Sequence, residues 1–221
     1  MNFTLTDARR EALALTISEA RLAPYLAYSE GDWDRAFSLY RLNAQLSESF
    51  YRPLQGLEIA VRNSLNRHFI ARFGENWHEQ TMIRLEGQQA QDVGQAIRDL
   101  QADGKPITNA AVVAELKFGF WVGVLGPRSE IEIWRKAAFK AFPHRGKGNE
   151  RKAVQGALNS IRRLRNRVFH HERILHRDLK KDHETIIKVV SWICPETAAW
   201  VDAESTFKPE IAPAIQVGEE E

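Results

Sequence analysis

Apolar residues recur along this chain at the three-and-four spacing of a helix, and no alternating apolar–polar run of strand length interrupts them. That periodicity leaves little room for anything but a helical fold. Thr6 caps a predicted helix through Asp7–Ala20, with Leu13, Ile17 and Ala20 on one face and Asp7 in the first turn. Pro24 interrupts it and Gly31 ends the connector. From Asp32 or Asp34 a long helical region carries Phe37, Tyr40, Leu46, Phe50, Leu54, Leu57, Val61, Leu65 and Phe69 toward Gly74, with Pro53 expected to kink or split it. Further helices are expected over Glu86–Ala102, closed by Asp103-Gly104, and over Asn109–Leu116, capped by Thr108 and followed by the apolar Phe118–Leu125 segment. Three more follow at Glu130–Phe142, stopped by Pro143, at Glu150–His170 behind Lys147-Gly-Asn149, and at Asp178–Ile193, stopped by Pro195. Residues 205–221, with Pro209, Pro213 and three terminal glutamates, read as a flexible tail behind a domain of residues 1–204. No internal repeat is visible. The expected fold class is all-α, a single-domain helical bundle.

Composition narrows the class of protein. With 43% hydrophobic and 27% charged residues among 221, the chain can bury a core and is not disordered throughout. The apolar run Phe118–Gly126 is nine residues long, whereas a membrane span needs about 20. Charges in Met1–Arg10 occupy the place of a signal peptide's apolar core. The one cysteine, Cys194, excludes an internal disulfide framework and a Cys-rich zinc site. A cytoplasmic protein with no membrane partner is the expectation.

The net charge of +2 hides an asymmetry. Residues 144–181 hold twelve Lys/Arg against three acids, a balance of +9, and the rest of the chain carries −7. Four of the seven histidines (144, 170, 171 and 176) fall in the basic segment. Clustered Lys/Arg suits a polyanion partner, since neutralising phosphates releases counterions. A solvated helix face would have the same composition, so the segment's chemistry has to decide.

Within Ser160–Ile174, Ile161, Leu164 and Val168 form an apolar stripe at 100° per residue. Arg162, Asn166 and His170, each four apart, share the polar side. Arg165 falls about 140° from His170, nearer the apolar stripe, where a charge needs a partner. Glu58, beside the apolar face marked by Leu57, Val61 and Leu65, can supply one across the bundle. It can equally pair with Arg62 at i,i+4 and stay on its own helix. RNA carries its own nucleophile, the 2′-hydroxyl. Cleavage therefore needs a base, an acid and positive charge on the phosphorane-like transition state. Histidine titrates near neutrality, arginine forks onto phosphate oxygens, and asparagine orients or binds. Arg165, Asn166 and His170 together suffice for such chemistry, although R-N-x-x-x-H is a weak pattern by spacing alone.

Arg165-Asn-Arg-Val-Phe-His-His-Glu172 resembles the R-x(4–6)-H signature of the HEPN superfamily, in the R-N-x-x-x-H-H-E form of the Abi-like (abortive-infection) proteins. Other segments match that family's landmarks in order: Arg21-Leu-Ala-Pro-Tyr-Leu26, Tyr40…Phe50…Leu57-Glu58…Arg62-Asn63, Phe73-Gly74…Trp77, Glu115-Leu…Phe118-Gly-Phe-Trp121 and Ser191-Trp192. The resemblance spans about Leu5–Trp200. It implies a HEPN-like bundle with additional helices that homodimerises, bringing two motifs to one cleft. It also implies metal-independent endoribonuclease activity in phage defence or as the toxin of a toxin–antitoxin pair. RNA is then the substrate, no cofactor is expected, and an antitoxin of protein or RNA is a further partner. By position, Arg165, Asn166 and His170 are the catalytic candidates. Glu58, Arg62, Asn63, His171 and Glu172 are supporting ones, and Arg162, Arg163, Arg167 and Arg173 would bind RNA. Arg173 stands where the family pattern leads one to expect proline. If two basic helices face each other across a twofold axis, Arg165 of one protomer acts beside His170 of the other. Two other classes fit the same residues: a non-catalytic RNA-binding module, and an interaction protein with Arg165 and Asn166 in a buried polar network.

Other constellations carry less. His171-Glu-Arg-Ile-Leu-His176 is one residue too long for a zinc-binding pair on a helix, and His183 lies seven further on, so no metal site is expected. Gly146-Lys-Gly-Asn-Glu150 lacks Walker spacing and reads as a flexible basic loop. Phe118, Phe120, Trp121 and Trp134 read as core before they read as base-stacking groups. Cys194-Pro195 has no His/Asp context for a nucleophile.

Overall fold

A computed structural model describes residues 5–79, 83–148 and 150–211. Asn149 and residues 212–221, the greater part of the expected tail, lie outside the described residues. Every α- and β-type element among the described residues is helical: α1 (Asp7–Ile17), α2 (Glu19–Tyr28), α3 (Trp33–Ser49), α4 (Tyr51–Phe73), α5 (Gln88–Ala102), α6 (Asn109–Glu115), α7 (Phe118–Gly123), α8 (Arg151–Phe169), α9 (Leu179–Ile193) and α10 (Pro195–Ala203). The all-α class is as read from the sequence.

Helix α4 runs through the middle of the core. Leu54, Leu57, Val61, Leu65 and Phe69 repeat at three and four, and all are fully buried. It packs on α9, α7 and α10, while α8 lies on α9 and α7. The α8 stripe of Val154, Leu158, Ile161, Leu164 and Val168 closes the same core. Phe118, Phe120, Trp121 and Trp134 are buried in it, with Phe69 and Trp77 stacked among them. Each fully buried side chain of this kind contributes about 1.5–3 kcal/mol. The α4–α10 contact is close: a Cβ on Gly56 would stand 2.6 Å from Val201 Cγ2.

Several boundaries move from their expected places, each for a local reason. The first helix ends at Ser18, not Ala20; with φ +83° Ser18 caps α1 and opens α2. Pro24 is carried inside α2. The long helical region breaks at Phe50, ahead of Pro53. Pro53 then sits in the first turn of α4, where an N–H has no helical acceptor to lose. The helix expected over Glu130–Phe142 is instead a 3₁₀ turn (Pro127–Ser129), a π turn (Glu130–Trp134) and a second 3₁₀ turn (Ala138–Ala141). Ile133, Trp134, Ala137, Ala138, Ala141 and Phe142 are buried together through these turns; at 100° per residue the six would also share one half of a regular helix, which is why the segment reads as helix in the sequence. Pro195 ends α9 and also occupies the first position of α10, a helix the sequence reading did not anticipate. Beyond α10, Phe207 is buried on Phe50 with ring centroids 4.7 Å apart, and Ser205 hydrogen-bonds His183 at 2.9 Å. Residues 205–207 of the expected tail are therefore docked.

Candidate functional site

Arg165 is part of α8, on the flank that faces α4 across an open cleft of about 320 Å³. Its Nε donates to Glu58 Oε1 at 2.8 Å, with the two side chains 28% and 25% exposed. The anticipated cross-bundle pair forms, and Arg62 takes a different partner: its Nε donates to Asn63 Oδ1 at 3.4 Å. The Arg165 guanidinium also lies over the Phe169 ring, 4.3 Å from its centroid. Arg165 is thus held twice, by a carboxylate and by an aromatic face. Its terminal Nη groups make no hydrogen bond among the described residues. Arg62 and Arg165 both line the cleft.

His170 is the C-cap of α8, and its N–H donates to the Asn166 carbonyl at 2.9 Å. Its ring is exposed to solvent. Asn166 is half-buried one turn earlier, as is Arg162 another turn back, so the polar row expected from the spacing is continuous along α8. His170 does not line the Arg165 cleft.

The chain leaves α8 through a Schellman turn. His171 N–H donates to the Val168 carbonyl (3.2 Å) and Glu172 N–H to the Arg167 carbonyl (2.8 Å). The turn places His171 at φ +57°, a left-handed position usually given to glycine. His171 lines a second cleft of about 450 Å³, between α3 and the end of α8. Glu172 is exposed and pairs with Arg167 at 3.6 Å, and Arg167 also donates to the Arg173 carbonyl at 3.3 Å. Arg163 is exposed and Arg173 half-buried. Asn63 is exposed and turned to a third cleft, between α4 and α10. Of the twelve candidate residues, Glu58, Arg62 and Arg165 share one cleft, His171 lines the next, and Asn63 lines the third.

Two residues outside the candidate set fix the loop that carries His170 and His171. Asn43, only 5% exposed, donates from Nδ2 to the Glu172 carbonyl (3.2 Å) and accepts at Oδ1 from Ile174 N–H (2.8 Å). Arg21 donates to the His171 carbonyl. The signal for Asn43 was present in the sequence, because it is a lone amide on the buried side of α3 with Ala36 and Leu46. Tyr51 and Phe169 were also missed. They are 52% and 41% exposed, with ring centroids 6.0 Å apart, and both border the Arg165 cleft and the His171 cleft.

Burial pushes the His176 imidazole below its usual range, with Arg167, Arg173 and Arg177 adding to the shift. His183 is pushed the same way by burial, against the opposing carboxylates of Asp202 and Glu184. Among the described residues no group of three or more His, Cys, Asp or Glu is placed to hold a metal ion, and no helix is long and apolar enough to cross a membrane. Comparison with protein-family models, curated proteins and solved structures finds no match to this chain.

Proposed function

We propose that this chain is a metal-independent endoribonuclease of the HEPN type, akin to the Abi-like proteins, and that Arg165 and His170 act on one scissile phosphodiester. The observation that carries the reading is the state of Arg165. Its Nε is fixed by Glu58, and its Nη groups are unbonded among the described residues, at the edge of an open cleft five residues from an exposed imidazole. A structural ion pair would be expected to spend the guanidinium fork on protein acceptors. Here the fork is left for phosphate oxygens.

In the reaction the 2′-oxygen attacks the adjacent phosphorus while His170 takes its proton. The bond to the 5′-oxygen breaks as that oxygen gains a proton, giving a 2′,3′-cyclic phosphate and a 5′-hydroxyl. Arg165 stabilises the charge that builds on the non-bridging oxygens. Asn166 orients the imidazole or the substrate, and Arg162, Arg163, Arg167 and Arg173 attract the backbone. Base and acid are both required, and His171 is directed to a different cleft. A homodimer answers this by supplying a second His170. It would also bring an imidazole to the Arg165 cleft, which His170 of the same chain does not line. The setting this suggests is phage defence or a toxin restrained by an antitoxin.

Purified protein incubated with total RNA in EDTA should cut it, and His170→Ala should not. Mixing Arg165→Ala and His170→Ala protomers should partly restore cleavage if the centre is shared between protomers. That His170 does not line the Arg165 cleft favours a second reading, a non-catalytic RNA-binding module. Salt-sensitive binding without cleavage by either protein would support that reading instead.

A further inference from the structure

Tyr51 opens α4 and Phe169 closes α8, two helix ends distant in sequence, yet their rings stand 6.0 Å apart at an interplanar angle of 37°. Both remain substantially exposed in a protein that buries Phe50, Phe69 and Phe120 completely or nearly so. Together they form the partition between two clefts. On one side lies the cationic cleft, where the Arg165 guanidinium rests on Phe169 at 4.3 Å. On the other is the more apolar cleft of about 450 Å³, bordered by Tyr40, Val168, Glu48 and His171.

We infer that this second cleft is a nucleobase subsite, taking one unpaired base of single-stranded RNA against Tyr51 and Phe169 while the neighbouring phosphate reaches Arg165. The inference rests on the ribonuclease reading and specifies how substrate is held there. Charge selects the occupant. A guanidinium only a ring's thickness behind the aromatic wall lies within one nucleotide of anything stacked on that wall. Bases stack on exposed aromatic rings regardless of sequence. The His171 imidazole and Glu48 carboxylate at the rim can hydrogen-bond a base edge. His171, at φ +57°, is a lining residue of this cleft, and His170, one residue earlier, is not.

The test uses a short fluorescein-labelled single-stranded 2′-O-methyl RNA, which has no free 2′-hydroxyl and so reports binding without cleavage. It is compared with the same backbone made abasic. The wild-type chain should bind the intact strand more tightly than the abasic one. Tyr51→Ala should weaken intact-strand binding by about 5- to 150-fold, the span of stacking on one aromatic, and leave abasic binding unchanged. Tyr51→Trp should retain it. Equal binding of intact and abasic strands, or an equal loss for both in Tyr51→Ala, overturns the subsite. So does a shift of Tyr51→Ala from dimer to monomer with the base preference intact, which would make the aromatic wall a protein interface. Cleavage of unmodified RNA by the wild type, run alongside, separates the two levels. If His170-dependent cleavage persists without base preference, the subsite alone fails; if the wild type neither binds nor cuts, the ribonuclease reading fails with it.

Discussion

Replacing Glu58 by glutamine removes the charge that fixes Arg165 while keeping the side chain's size. Both partners are roughly three-quarters buried, with the Nε–Oε1 contact at 2.8 Å. Exposed ion pairs are worth about 0–1 kcal/mol, and breaking a fully buried one costs about 3–5 kcal/mol. A pair of intermediate burial, also stacked on Phe169, should lie between, so Glu58→Gln is expected to cost about 1–3 kcal/mol. For a chain of this length that corresponds to a Tm lower by about 2–10 °C. Thermal or urea unfolding of Glu58→Gln, Arg165→Gln and the double variant gives the coupling directly. The expected coupling is about 1–2 kcal/mol, and it should shrink in salt less than that of a fully exposed pair, since each partner is only about a quarter exposed. A positioning role adds a second readout: cleavage by Glu58→Gln should fall, but less than by Arg165→Ala. A coupling below about 0.3 kcal/mol would show that Glu58 does not hold Arg165 in solution, and the reasoning from a fixed guanidinium would fall with it.

Three further outcomes follow from the same structure. Asn43→Ala leaves the Glu172 carbonyl and Ile174 N–H without their side-chain partner. It should cost about 2–3 kcal/mol by denaturant titration, and unfolding at wild-type denaturant would contradict the clamp. His171→Gly relieves the left-handed backbone at the Schellman turn. It should raise stability by about 0.5–1 kcal/mol; a loss of stability would mean the His171 side chain is structural. The buried His183 imidazole binds fewer protons folded than unfolded. Its contribution is complete above about pH 6.5 and is lost as pH falls through its lowered folded value. Stability should therefore drop on acidification from about pH 7 to 5, and drop less steeply in His183→Gln; identical slopes would rule out His183 as a source.

Where the sequence was readable, one local rule decided the outcome. The Thr6, Asp32, Thr108 and Asp178 side chains cap the helices they precede, because an N-cap depends only on the next few N–H groups. That Arg165 needs a partner was legible from its place beside Ile161, Leu164 and Val168, but the sequence left Glu58 equally free for Arg62, and the packing of α8 beside α4 decides for Arg165. The rest was settled by tertiary packing. Ile133, Trp134, Ala137, Ala138, Ala141 and Phe142 keep helical spacing within Glu130–Phe142, so nothing in that segment itself announces the π and 3₁₀ turns. Pro195 marks a stop and a start equally well, and the α10 packing of Val201 onto Gly56 decides for both. Tyr51 and Phe169 lie off the apolar stripes read from the sequence, and nothing local pairs them. Only the meeting of two helix ends leaves them open to solvent.

The most direct measurement is the chemistry of the cut ends produced from one defined RNA oligonucleotide in EDTA. Attack by the 2′-oxygen, assisted by His170 and Arg165, predicts a 2′,3′-cyclic phosphate on one fragment and a 5′-hydroxyl on the other, with both products lost in His170→Ala and in Arg165→Ala. Fragments ending in a 3′-hydroxyl and a 5′-phosphate, or the cyclic product persisting undiminished in either variant, would contradict it.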